Sequence, residues 1–228
     1  MLPVGEARCL LAVQWLRPPF FFSNIKIMGK AYANRKAENL RPDNDFYQTP
    51  SCMIIELLES GVFPYHPSIN EQLKWTVKIF DPCCGKYRIG NVLRNYGYTN
   101  IIEKDLIYGY DFLKDDSDEE CGIIIMNPPF KLFNRFVEKA KKKAKYVFSI
   151  GKMNYFGAHD RNVNGLWNNL EWALPFDRQI SFDKPEINGK VQCGMMISAW
   201  FIWNKDYKGL PQIKVLDMQK YIAKKGEC

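Results

Sequence analysis

Several kinds of chemistry are missing from this sequence. It has only two histidines, His66 and His159, and none of its seven cysteines forms a CxxC pair. Structural zinc needs about four nitrogen or sulfur ligands, usually in closely spaced pairs, so the composition argues against a metal site. A disulfide between the neighbours Cys83 and Cys84 would be strained, because adjacent Cα atoms lie only about 3.8 Å apart. Scattered single cysteines suit a reducing cytosol. No apolar run reaches the roughly 20 residues that cross a bilayer, so no membrane partner is expected. The GxxxxGK[ST] phosphate loop is also absent.

The 228 residues suit one domain with a sizeable core, and 46% hydrophobic with 14% aromatic residues is ordinary for a globular chain. A formal net charge of +7 leans towards a polyanionic partner such as nucleic acid, although a mildly basic soluble protein fits the same number. Residues 1–27 hold a short apolar piece broken by arginine and two prolines, a poor signal peptide. Met28 opens a more natural start. We therefore expect 1–27 to be a non-native extension, 28–44 a polar flexible arm, and 45–228 the folded domain.

Within that domain, Thr49 and Pro50 predict a helix start, with threonine as N-cap and proline in the first turn of SCMIIELLES. TVKIFDP, NIIEKD, CGIIIMN and KYVFSIG read as strands. The third is almost wholly apolar, as in strands buried on both faces of a parallel sheet. IGNVLRNYG and KLFNRFVEKAKKKAK read as helices between them. This alternation predicts an open, doubly wound, mostly parallel α/β sheet, and residues 179–204 predict a C-terminal antiparallel hairpin. Residues 154–175 show no clear period. The run Lys139, Lys141, Lys142, Lys143 and Lys145 reads first as a solvated helix face and second as a DNA contact.

In such a sheet, ligands collect beyond the carboxyl ends of the strands. Three unusual segments fall there: Asp81-Pro82-Cys83-Cys84-Gly85, Asp105, and Asn127-Pro128-Pro129-Phe130. Each alone has a bland explanation as a turn or a helix cap. An acid at the start of the first loop would repel a phosphate but suits a cationic group, such as the amine and sulfonium of S-adenosylmethionine. Asp105 stands 20 residues after Gly85, the spacing at which an acid accepts ribose hydroxyls in α/β nucleoside sites. Asp111 and Phe112 offer an acceptor and an aromatic face for adenine. In NPPF, the asparagine oxygen and the first proline's carbonyl can both accept from a planar NH2, proline stiffens the turn, and Phe130 can stack on an extruded base.

The motifs DFYQTP (45–50), FDPCCG (80–85), Asp105, YDFL (110–113) and MNPPF (126–130) together resemble the S-adenosylmethionine-dependent amino-methyltransferases, closest to the phage and prophage DNA N6-adenine type. The resemblance spans roughly residues 45–204 and implies a Rossmann-like fold, S-adenosylmethionine as cofactor, DNA as partner (RNA being possible), and a bacterial or phage-infected cytoplasm. It implies that Asn127, Pro128, Pro129 and Phe130 are catalytic. Cofactor contacts are implied for Tyr47, Thr49, Pro50, Asp81, Pro82, Cys83, Gly85, Asp105, Asp111, Phe112 and Asn127. ISFDKPEINGK…SAWFIW (180–203) resembles the family's C-terminal hairpin.

Two departures stand out. The family commonly carries a second glycine two residues after Gly85, where this chain has Tyr87; that side chain could crowd the cofactor, swing outward or form a lid. No large target-recognition domain is visible either. Asn154, Tyr155, Arg161 and Trp167 are the remaining candidates for base contacts, with aromatic core packing the competing reading. Methylation of RNA, of cytosine N4 or of a protein glutamine amide stays open, as does a catalytically silent nucleic-acid-binding homologue.

Overall fold

The strand Cys121–Met126 (β3) shows how the sequence builds the sheet. Ile123 and Ile125 face one hydrophobic cluster while Ile124 and Met126 face another, and all four are fully buried. The same alternation separates Ile79 from Phe80 on Ile79–Asp81 (β1), and Phe148 and Ile150 from Val147 on Ala144–Lys152 (β4). It also parts Trp200 and Ile202 from Phe201 and Trp203 on Ser198–Asn204 (β6). Successive side chains of a strand point to opposite faces, so a sheet with both faces covered needs apolar residues at every position.

The computed structural model describes residues 47–64, 76–117, 119–182 and 190–222, all within the unit Arg41–Cys228. The expected extension and arm, Asp45-Phe46 of DFYQTP, the proline-rich loop before β1 and the DKPEING segment lie outside the described residues. Among the described residues are seven strands, completed by Ile101–Glu103 (β2), Leu170–Pro175 (β5) and Gln212–Ile213 (β7), in the order β2-β1-β3-β4-β6-β5-β7. The pairs β1–β2, β1–β3, β3–β4 and β5–β7 are parallel. β6 runs antiparallel to both of its neighbours, β4 and β5.

One face is covered by Ser51–Glu59 (α1) and Arg88–Asn95 (α2), the other by Phe133–Lys143 (α3). A buried indole must find an acceptor, and both β6 tryptophans do so. Trp200 Nε1 donates to the Met53 carbonyl of α1 at 2.8 Å, and Trp203 Nε1 to the Leu166 carbonyl at 2.9 Å on the opposite face.

Three sequence expectations need correction. Helix α1 begins at Ser51, one residue late, because Pro50 (φ −60°, ψ 137°) is extended; Thr49 is buried and makes no capping bond through its side chain. The partner of β6 is β5, inside the stretch that shows no period. A register shift between Leu170 and Trp172 breaks the two-residue alternation there and hides the strand. Among the described residues, 179–182 and 190–194 form no strand and contribute the isolated bridges Ile180–Cys193 and Val191–Ile222.

Only part of the lysine run is a solvated face: Lys142 and Lys145 are exposed, and the others are partly buried. Lys141 Nζ donates to the carbonyls of Gly165, Leu166 and Asn168, tying α3 to the loop before β5. Lys139 bonds the Leu113 carbonyl, while Lys143 and Lys145 pair with Asp115 and Asp206. Burial lowers the pKa of Lys141.

Candidate active site

The chain passes from β1 outward to β2 and then returns to place β3 on the other side of β1. That reversal leaves a crevice between the carboxyl ends of β1 and β3, where open α/β sheets hold their ligands. A cavity of about 290 Å³ occupies it.

The loop after β1 is built to stay open. Gly85 adopts φ 53°, and its N–H donates to Asp105 Oδ2 at 2.8 Å. The other Asp105 oxygen accepts from the Ile107 N–H at 3.0 Å, and Cys84 N–H bonds the Lys104 carbonyl. The ends of β1 and β2 are thereby locked together around the cavity. Each carboxylate oxygen retains a further lone pair, so Asp105 can accept from a ligand hydroxyl as well. Asp111 accepts from the Leu113 N–H at 3.0 Å and pairs with Lys114.

Asp81 lies beneath this loop and is fully buried. Its Oδ1 accepts from the Cys83 N–H at 3.1 Å, whereas Oδ2 has no hydrogen-bond partner. Burial raises its pKa well above the usual carboxylate range, and the charges of Glu103 and Asp105 add to the effect. Burial also pushes the Cys84 thiol up to about 12 and the Cys83 thiol well above its ordinary value, with Asp81 and Asp105 reinforcing both. Neither sulfur is a thiolate at neutral pH, so neither is an activated nucleophile.

Tyr87 resolves the question of the replaced glycine. Its backbone takes the left-handed conformation (φ 61°, ψ 22°) that a glycine would take without strain. Its ring stacks on Tyr108 with centroids 5.3 Å apart and planes 11° apart, and it is not among the cavity walls. Tyr108 in turn donates its hydroxyl to the Gly85 carbonyl at 3.0 Å. Tyr87 has swung outward and buttresses the loop from outside.

At the end of β3, Asn127 donates Nδ2–H to the Tyr47 carbonyl at 3.1 Å. This bond fixes the amide so that Oδ1 is its accepting end. Phe130 stands at the mouth, stacked on Tyr47 (6.3 Å, 25°), with Phe182 edge-on at 6.1 Å and the Lys152 ammonium 4.6 Å from its ring centre.

Of the residues singled out from sequence, Tyr47, Thr49, Pro82, Cys83, Gly85, Asp105, Asp111, Phe112, Asn127 and Pro129 line the cavity together. Pro50, Asp81, Pro128 and Phe130 adjoin it without forming its wall. The four residues of 154–175 divide. Tyr155 packs on Phe133 and donates to the Phe130 carbonyl at 3.3 Å, with the Arg161 guanidinium 4.2 Å over its ring. These two support the NPPF turn from behind. Trp167 stacks on Trp203 (6.0 Å, 8°) within the core, and Asn154 is exposed.

Sequence reasoning missed Gln48, whose Oε1 is buried without a partner at the cavity, and the wall residues Arg88 and Arg135. Gln48 sat inside the FYQTP motif and could have been found there. The convergence of Lys152 and Phe182 on Phe130 left no local signal.

No protein-family model matches the chain, and no curated protein matches it by sequence. Among solved structures it resembles a candidate RNA methyltransferase from Pyrococcus horikoshii, with TM-score 0.51 and 16% identity, over 71% of this chain and 87% of that one. It also resembles the methyltransferase subunit of a type I restriction-modification system from Streptococcus thermophilus, with TM-score 0.49 and 9% identity, over 79% of this chain and 49% of that larger one. The fold is the Rossmann-like methyltransferase fold. Among the described residues no helix is long and apolar enough to cross a membrane, and no cluster of three metal-ligating side chains occurs.

Proposed function

We propose that this chain is an S-adenosylmethionine-dependent methyltransferase acting on the exocyclic amino group of adenine (N6) in DNA. The observation that carries this reading is the Asn127–Tyr47 bond, which leaves Asn127 Oδ1 as an acceptor at the carboxyl end of β3, between the cavity and Phe130.

The walls suit the cofactor. Asp105 offers lone pairs for ribose hydroxyls, Asp111 and Phe112 flank a place for a purine, and the unpartnered oxygen of Gln48 suits a cationic amine. The cofactor supplies a methyl group on a sulfonium. Asn127 Oδ1 and the Pro128 carbonyl accept the two amino hydrogens, holding the substrate nitrogen with its lone pair directed into the cavity. Phe130 supplies a face for the extruded base. With the cofactor bound, these acceptors would hold the amino nitrogen in line with the sulfonium methyl, and the proton released on transfer would pass to solvent water.

The outward Tyr87 supports an active enzyme over a silent homologue, because it leaves the cradle free. Incubation with methyl-labelled S-adenosylmethionine and separate DNA, RNA and protein substrates tests the reading. Digestion should return labelled N6-methyladenine from DNA; label in RNA or protein alone, or N4-methylcytosine, refutes the proposed target.

A further inference from the structure

Met195, Met196 and Ile197 form a consecutive apolar run in which every side chain is exposed, at 65%, 46% and 45% respectively. Leu106, Ile107 and Tyr108 form a second such run, two of them in the cavity wall, whereas Met195, Met196 and Ile197 lie outside that wall; clustered exposed apolar side chains mark interaction sites. Contacts on both sides fix their position. The Ile197 carbonyl accepts from the Met153 N–H at 3.0 Å, and Ser198 pairs with Lys152, which places the run at the carboxyl end of β4. On the other side, Gly194 N–H bonds the Gln179 carbonyl, and the Ile180–Cys193 bridge leads to Phe182, which meets Phe130 edge-on. Lys152 itself reaches over Phe130. The run therefore sits at the carboxyl end of β4, flanked by the segments that carry Lys152 and Phe182 to Phe130.

A base buried in a duplex cannot reach Asn127 without leaving its stack. Proteins that open a stack do so with unbranched or branched apolar wedges, methionine and isoleucine included, flanked by cations that hold the phosphates. Here the wedge chemistry is Met195-Met196-Ile197, and the cations are Lys152 at its base and Lys131 beside Phe130, on a chain of net charge +7. Methionine is unbranched and polarizable, and adapts to any base step, which suits a wedge without a large recognition domain.

Resting on the DNA-methylating reading above, we propose that Met195, Met196 and Ile197 form a wedge that enters the duplex beside the target adenine and holds its stack open. Lys152 and Lys131 grip the adjoining backbone. The wedge acts only on duplex DNA, since a single strand has no stack to hold open.

Two measurements test it. Unmethylated genomic DNA, native and heat-denatured, is offered to the native protein and to a Met195→Ala/Met196→Ala/Ile197→Ala variant. The variant should lower the ratio of duplex to denatured methylation by about tenfold. Separately, ligation of nicked plasmid with protein bound should show a change in linking number for the native protein and none for the variant. A Met195→Leu/Met196→Leu variant should retain both properties. An unchanged ratio and an unchanged linking shift in the triple variant, while native protein methylates DNA, overturn the wedge alone. Absence of DNA methylation by the native protein overturns the wedge together with the function on which it rests.

Discussion

The side-chain amide of Asn127 donates to the backbone carbonyl of Tyr47 across 3.1 Å, joining the end of β3 to a segment eighty residues earlier. In the proposed reaction Asn127 has two duties, one towards the substrate amine and one, through this contact, towards the cavity wall. Asn127→Ala should lower turnover by about 10²–10³-fold, the usual loss when one positioned polar group is removed. It should weaken S-adenosylmethionine binding by less than about tenfold, the scale of one lost hydrogen bond. Rapid-quench kinetics and calorimetry separate the two. Turnover close to the native rate removes Asn127 from the mechanism.

Asp81 predicts a pH-dependent trade. Its folded pKa is raised by burial, so the folded state holds the proton more tightly than the unfolded chain does. A carboxyl of this kind costs nothing below its unfolded pKa of about 3.9, and costs stability increasingly as the pH rises towards its folded value. Asp81→Asn should therefore raise the melting temperature at pH 7 by about 2–4 °C and leave it almost unchanged at pH 3.5. The same change should alter cofactor binding by less than about threefold, because Asp81 lies outside the cavity wall. Equal melting temperatures for the two proteins at pH 7 contradict the buried, unpartnered acid.

Tyr87 sits in a left-handed conformation that costs a non-glycine residue about 1–2 kcal/mol, and its stack on Tyr108 returns about 0.5–1.5 kcal/mol. Tyr87→Gly removes both, so its melting temperature should lie within about 3 °C of native. Its affinity for S-adenosylmethionine should change less than about threefold, because the ring lies outside the cavity. A large gain in affinity is the outcome that contradicts the outward placement.

Lys141 holds three loop carbonyls from a half-buried position. Lys141→Ala should cost about 2 kcal/mol, a fall of roughly 4–8 °C in melting temperature. The slope of DNA affinity against salt should not change, since that slope reports phosphate contacts. A shallower slope at native stability assigns Lys141 to DNA.

The parts of the molecule that sequence made legible are those whose signal is local. The centres of β1, β3 and β4 are apolar at successive positions because both of their faces are buried, and Asp81 and Asn127 stand where β1 and β3 end and the chain must turn. The parts that stayed hidden depend on partners far away in sequence. Nothing in KAKKKAK reveals that Lys141 will find the carbonyls of residues 165–168, and β5 loses its alternation to a single register shift. The orientation of Tyr87 is set by Tyr108, twenty-one residues later. Phe130 was legible as a stacking face, while its companions Phe182 and Lys152 arrive from two other segments.

The antiparallel placement of β6 bears on how the chain is made. A ribosome delivers β4 and β5 well before Ser198–Asn204, yet that later strand belongs between them. Until it emerges, two apolar strands expose unpaired edges, and neither Trp200 nor Trp203 is present to bind the carbonyls of Met53 and Leu166. Half of the sheet thus closes only after synthesis has passed residue 204, and slowly, through its long-range pairings. Newly made chains stalled before that point are the ones exposed to chaperones and proteases.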